Sequence, residues 1–282
     1  MLRNSLARCR VTSYFLVGSL FLLSLACATS PLGRKQLMLL PDAQVDQMGV
    51  EAFQELQAKE TIDKNPGNSR YVHCIVDPLT LSAKIKNYGD KLPATWEVVV
   101  FKSNSVNAFA LPGGKIGVFT ELLKVAKTDS QLAAVLGHEI GHVIAHHGAE
   151  RLSQQAGTQF GMAALGHITR NNPHRDMLLG LLGVGAQVGI LLPYSRTQES
   201  EADLIGLDLM ATAGFDPRES VELWKNMMAA GGKAPPEVLS THPASESRIE
   251  ALQKHMPEAL SLFEKAQAQG QKRSCDRSGM TL

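Results

Sequence analysis

The sequence predicts an α+β chain, mainly helical, with a small β-sheet. Three observations carry this. Helical spacing or helix-start signals recur over residues 42–59, 70–91, from Asp129 to about Gln155, and again from Ser195. Only residues 96–101 and 115–119 are β-branched and aromatic enough for strands. A length of 282 residues is ample for one sizeable core, as one large domain or two small ones. The net charge of +1, the lack of a Lys- or Arg-rich block and an aromatic content of 5% exclude a nucleic-acid surface.

The first 26 residues read as a targeting segment. Arg3, Arg8 and Arg10 precede an uncharged run over 11–26, and no acid occurs before Asp42, as in the n- and h-regions of a signal peptide. The run ends Leu23-Ser24-Leu25-Ala26-Cys27, which resembles the lipobox that presents an acylated cysteine as the mature N-terminus. Ser24 departs from that box. Ala26-Cys27-Ala28 also fits an ordinary cleavage site, and the acid-free, arginine-bearing start fits a mitochondrial presequence. Export with a lipid on Cys27 is the reading taken, with residues 27–41 as an extended tether.

A domain over 42–282 follows. An amphipathic helix is expected over 42–59, and Asn65-Pro66-Gly67-Asn68 has turn chemistry. Helical pieces over 70–91 are expected to be interrupted at Pro78. The strands at 96–101 and 115–119 flank Asn107–Leu111 and the Pro112-Gly113-Gly114 turn. After removal of residues 1–26, Cys27, Cys74 and Cys275 would remain; whether the last two pair is left open.

The most informative residues are Gly137-His138-Glu139-Ile140-Gly141-His142. On a helix, His138 and His142 share one face, so both imidazoles can bind one ion, with Glu139 beside the water it would carry. Chance produces His-Glu-x-x-His in only about two chains in a hundred of this size. Thr128 or Asp129 caps this helix, and Leu132, Leu136, Ile140 and Val143 form its apolar stripe. A hydrolytic Zn2+ needs three protein ligands and an open position. Glu199-Ser200-Glu201-Ala202-Asp203 supplies the third: Ser195 and Gln198 form a capping box, and Glu199 and Asp203 share a face from which Glu201 points away. Glu199 is taken as ligand and Asp203 as a carboxylate orienting a ligand histidine. The bland alternative is a solvated acidic first turn favouring the helix dipole.

These motifs resemble the M48 peptidases, the HtpX-like and CAAX-protease-like gluzincins, and most of all their bacterial lipoprotein-type, periplasm-facing members. The likeness rests on Asn107-Ala108-Phe109-Ala110-Leu111-Pro112-Gly113-Gly114, residues 137–151, Ser195-Arg196 through Asp203, and Thr241-His242-Pro243 with Arg248-Ile249. It implies a zincin fold and one zinc held by His138, His142 and Glu199. Glu139 is implied as general base and Asp203 as partner of His138 with a proton-donor role. His242 would stabilise the oxyanion or cap the resting metal. An edge strand at Asn107, Ala108, Phe109 and Ala110 would bind substrate by adding the peptide as a further strand.

His146 and His147 are read as exposed or hydrogen-bonded, too far along the helix to join the shell, and Glu150-Arg151 as a structural pair. His73, His167, His174 and His255 show no partner pattern. The uncharged stretch 177–192, broken by glycines, reads as core or lid rather than a membrane span. About thirty residues after Ile249 leave no room for an appended helical repeat. Expected partners are unfolded or misassembled proteins and, through Cys27, a membrane. The expected location is the bacterial envelope, facing the periplasm as an outer-membrane lipoprotein; the alternative is mitochondrial. The competing functions are an active endopeptidase, a chaperone or scaffold with a closed zinc site, and a structural zinc module. The last is weak, because structural sites favour cysteine and have no use for Glu139.

Overall fold

A computed structural model describes residues 27–86, 88, 92–168, 194–230, 242 and 245–281. The signal-peptide reading and the stretch 177–192 lie outside the described residues. The chain enters as an antiparallel ribbon of β1 (Cys27–Thr29) and β2 (Lys35–Leu37), with Cys27 opposite Leu37. Residues 27–37 are therefore no free tether. Polar side chains at Ser30, Arg34 and Gln36 find buried partners on the helices beneath, which fixes the ribbon against the domain.

Helix α1 (Asp42–Lys59) has the expected bounds and buries Val45, Gly49 and Phe53. Helix α2 (Pro66–Ile85) starts at Asn65, whose side chain accepts hydrogen bonds from Gly67 N and Asn68 N. It runs unbroken through Pro78, against expectation. An interior proline costs about 3 kcal/mol. Tyr71, Val72, Ile75, Val76 and Leu79 are all fully buried on that helix, each worth about 1.5–3 kcal/mol for the large side chains. Packing outweighs the proline.

Strands β3 (Glu97–Phe101), β4 (Ala108–Leu111) and β5 (Lys115–Phe119) form one sheet in the order β3-β5-β4. β3 and β5 are parallel; β4 pairs antiparallel with β5, Phe109 opposite Gly117, and is an edge among the described residues. Strand alternation sorts the faces. Phe109 joins Phe53, Phe101 and Phe119 in a cluster with ring centroids 6.0–6.3 Å apart. Ala108 and Ala110 are buried on the other side.

A short helix α3 (Thr120–Val125) leads to α4 (Asp129–Ile144), capped by Thr128 accepting from Gln131 N. Then come α5 (His147–Ile168), α6 (Arg196–Thr212), α7 (Arg218–Ala230) and α8 (Glu246–Ala268). Leu132, Leu136 and Ile140 are fully buried, which makes α4 the central element. It does not continue to Gln155. It stops at Ile144, and His146 takes φ +53°, a left-handed conformation unusual for a non-glycine residue. Gln36 of the ribbon donates to Ala145 O (2.6 Å) at this break. α5 then leaves in a new direction.

The disulfide Cys74–Cys275 ties the C-terminal segment to α2. Cys275 N and Tyr71 OH both donate to Asp129 at the start of α4. No described helix is long and apolar enough to cross a membrane.

Helices α4 and α6 touch backbone to backbone. A Cβ on Gly141 would lie 2.8 Å from Ala202 O, and one on Gly206 would lie 2.7 Å from His138 N. Only hydrogen at these positions permits the approach. Gly206→Ala gains up to about 1 kcal/mol of helix propensity but must force backbone apart, an overpacking that costs about 1–3 kcal/mol. Thermal unfolding should therefore show net destabilisation, accompanied by weaker zinc uptake as His138 shifts; a variant at least as stable as wild type with full zinc affinity would contradict this packing.

Candidate metal centre

The helical period places His138 and His142 one turn apart on α4, both buried. From the facing helix, α6 projects Glu199 and Asp203. His138 Nδ1 donates to Asp203 Oδ1 (2.9 Å), so its Nε2 carries the lone pair. That Nε2 lies 3.1 Å from His142 Nε2 and 3.4 Å from Glu199 Oε2, while His142 Nε2 is 3.4 Å from Glu199 Oε1. His242 Nδ1 sits 3.2 Å from His138 Nε2 and 2.9 Å from Glu199 Oε1. Among the described residues, His138, His142, Glu199 and His242 form the cluster able to hold a metal, with ligand atoms all within 4.8 Å of one another.

These residues fit zinc. Tetrahedral zinc with bonds of about 2.0–2.1 Å separates its ligand atoms by about 3.3–3.5 Å, close to the spacings here. Nitrogen and carboxylate donors without cysteine are the set of a hydrolytic site. Glu139 supplies an independent sign. It is buried, and its Oε1 has no hydrogen-bond partner and lies 3.5 Å from His242 Nε2. An orphaned carboxylate oxygen beside a converged donor set is costly unless a proton donor comes to it.

Electrostatics agree with the ligand roles. Burial alone would lower the His138 pKa, but Glu199 and then Asp203 outweigh it and raise the pKa to about 9, so metal and proton compete for Nε2. Burial pushes His142 well below its ordinary value, reinforced by the neighbouring imidazoles, which suits a neutral donor. Glu199 is held far below the carboxylate range, against burial, by His138 first and then His142 and His242. Asp203 is held low, also against burial, by Arg248.

Arg248 is the functional residue that the residue-by-residue reading missed; it entered only as part of a matching string. Its guanidinium, 2% exposed, donates to both oxygens of Asp203 (2.7 Å each) and lies 2.8 Å from Glu199 Oε2. It also stacks 4.0 Å over the Trp224 ring. Removing one partner of such a buried pair typically costs about 3–5 kcal/mol. A single arginine in the first turn of an amphipathic helix carries no sequence signal of this.

Other readings are refined. His147 is hydrogen-bonded as expected but wholly buried, and the helix break rather than helical spacing places it. Glu150 and Arg151 do not pair: Glu150 binds Arg34, Gln198 and Gln36, whereas Arg151 stacks over Tyr194. Glu201 faces away from the metal cluster, as read. His255 has a partner after all, Asp208 at 2.8 Å, and His73 lies 3.2 Å from Asp77. Tyr194 was not foreseen; its ring stacks 4.0 Å from that of His142. A cavity of about 160 Å³ opens there, lined by Val45, Met48, Leu111, Val143 and Tyr194 as well as His142. Ala108 and Ala110 are buried and Phe109 packs into the aromatic cluster, so β4 offers a ligand its main chain and the Leu111 side chain at the cavity.

Residues 66–256 match peptidase family M48. The chain belongs to that family. M48 enzymes are zinc metallopeptidases, and the buried His138, His142, Glu199 and His242 cluster could hold such an ion here. The mitochondrial metalloendopeptidase OMA1 of Arabidopsis thaliana is 38% identical over 176 residues, which are 62% of this chain and 35% of the relative. That of Saccharomyces cerevisiae is 38% identical over 180 residues, 61% of this chain and 50% of the relative. The β-barrel assembly-enhancing protease of Escherichia coli is 28% identical over 211 residues, 72% and 42%. The chain thus spans a third to a half of the length of these curated relatives.

Proposed function

We propose that this protein is a zinc-dependent endopeptidase that cuts unfolded or misassembled proteins close to a membrane. The observation that carries the reading is Glu139, buried with a free oxygen at the edge of the converged His138, His142 and Glu199 donors. Zinc held there would polarise the scissile carbonyl and acidify the attacking water. Glu139 takes the proton of that water and passes it to the leaving amine. Asp203 keeps the Nε2 lone pair of His138 directed inward, and Arg248 fixes Asp203.

A second reading has a specific observation in its favour. His242 would supply a fourth protein donor beside His138, His142 and Glu199, and four protein ligands would close a zinc site. We read this as a resting state in which His242 caps the metal and must withdraw for turnover. The chaperone or scaffold reading is the same site permanently closed. Glu139→Gln should keep zinc and lose cleavage of casein by about 10²–10⁴-fold, the usual worth of a general base, whereas His242→Ala should bind zinc somewhat more weakly and cleave faster. Equal cleavage by wild type and Glu139→Gln would discredit the peptidase reading. Loss of activity in His242→Ala would favour an oxyanion role over a cap.

Substrate would lie as an extended segment along β4. In the antiparallel ladder, Asn107 O accepts from Phe119 N, so alternation turns the N–H and C=O groups of Ala108 and Ala110 away from β5. Main-chain pairing reads extended conformation rather than sequence, which suits unfolded chains. The adjacent apolar cavity would take one side chain. N-methylating the substrate amides that pair with β4 should raise KM by roughly two- to tenfold per lost bond, and unchanged kinetics would count against this edge.

A lipid on Cys27 would hold the centre at the membrane surface, because Ser30, three residues on, already touches the ribbon's buried partners. The bacterial envelope suits the lipobox-like sequence and the E. coli relative; the relatives named as mitochondrial support the alternative location. Labelled fatty acid entering wild type but not Cys27→Ala is the expected signature; equal labelling would remove the anchor.

A further inference from the structure

Both zinc-facing histidines need their Nδ1 held, and the two solutions differ. His138 uses Asp203. His142 uses a longer chain that the peptidase reading leaves unexplained. Its Nδ1 lies 2.8 Å from His147 Nδ1, and His147 Nε2 lies 3.1 Å from Glu201 Oε2. His147 is fully buried and Glu201 nearly so. Glu201 can only accept, so His147 donates through Nε2, leaving its Nδ1 as the acceptor for the Nδ1–H of His142. The lone pair of His142 then falls on Nε2, facing the metal.

The chain continues beyond the helices. Glu201 also accepts from Ser30 Oγ and from Arg34 Nε (2.8 Å), both in the N-terminal ribbon. The same Arg34 donates through both terminal nitrogens to Glu150 (2.7 Å each). Gln36 reaches Glu150 and the carbonyl of Ala145, at the helix break that swings His147 back over His142. Without the left-handed turn at His146, a residue five positions beyond His142 on a straight helix would lie about 140° around the axis, out of reach of its ring.

We propose that His147 and Glu201, together with Arg34 of the ribbon, are positioning residues that fix the tautomer and orientation of His142, so that residues 27–37 are part of the metal site and not a spacer. The inference rests on His142 being a zinc ligand. Partners that orient a metal-binding histidine typically contribute 10–100-fold in metal affinity, and this is the size of effect expected.

The test is zinc affinity of the full chain, measured by competition with a chromophoric chelator, alongside thermal unfolding of the zinc-free protein. His147→Ala should bind zinc about 10–100-fold more weakly. His147→Asn, which restores an acceptor near the Nδ1 position, should recover part of the loss. Arg34 is partly exposed, so Arg34→Met should fold, and it should weaken zinc binding by a smaller factor. In nitrogen-15 spectra, the His142 imidazole should carry its proton on Nδ1 in wild type and a mixture in His147→Ala. Wild-type zinc affinity in both His147→Ala and Arg34→Met, even with lowered melting temperatures, would reduce the chain to a structural role and overturn the inference. A wild type that takes up no zinc would instead bring down the metal reading itself.

Discussion

The contact between α4 and α6 is the constraint from which the rest follows. Two helices normally keep their axes about 8–10 Å apart according to the side chains between them. Here glycines on both helices let the backbones meet, and the Cβ positions at 141 and 206 fall on main-chain atoms of the partner. That approach lets short acidic side chains on α6 reach imidazoles on α4. Glu199 and Asp203 could not span a gap filled by leucine or valine.

Such a contact concentrates charge in a dry place. His138, Glu139, Glu199, Asp203 and Arg248 are all nearly or fully buried within one cluster. Desolvation opposes every one of them, and the network persists because each charge faces an opposite one. Arg248 neutralises Asp203 and lies against Glu199, so that carboxylates can be packed side by side. Glu139 Oε1 and Glu199 Oε2 are the cluster's oxygens without a hydrogen-bond partner, and of the two Glu199 Oε2 has the Arg248 guanidinium at 2.8 Å. The imbalance falls on Glu139, the residue that the chemistry needs reactive.

The parts of this arrangement that were legible in the sequence are those with a local period. His138 and His142 at helical spacing, Glu199 and Asp203 at the same spacing, and the Ser195–Gln198 capping box each follow from one helix at a time. Helix α1 and the strands β3 and β5 were legible for the same reason, whereas β4 was expected from the family resemblance. What was not legible depends on tertiary packing. Pro78 stays inside a helix because buried neighbours overrule it. The break after Ile144 has no proline or glycine at its turning point; a histidine takes the left-handed conformation, and the ribbon's Gln36 ties down the carbonyl beside it. Arg34 and Arg248 gain their meaning from carboxylates more than forty residues away. The pairing of Cys74 with Cys275 likewise depends on a fold that brings distant segments together.

The account turns on two helices presenting nitrogen and oxygen donors to one ion. Zinc-edge X-ray absorption on the purified full chain examines that directly. The account predicts one zinc per chain, with a nitrogen and oxygen shell at about 2.0–2.1 Å and the multiple-scattering signature of imidazole. A sulfur shell at about 2.3 Å, a hydrated ion without imidazole scattering, or protein free of zinc would contradict it.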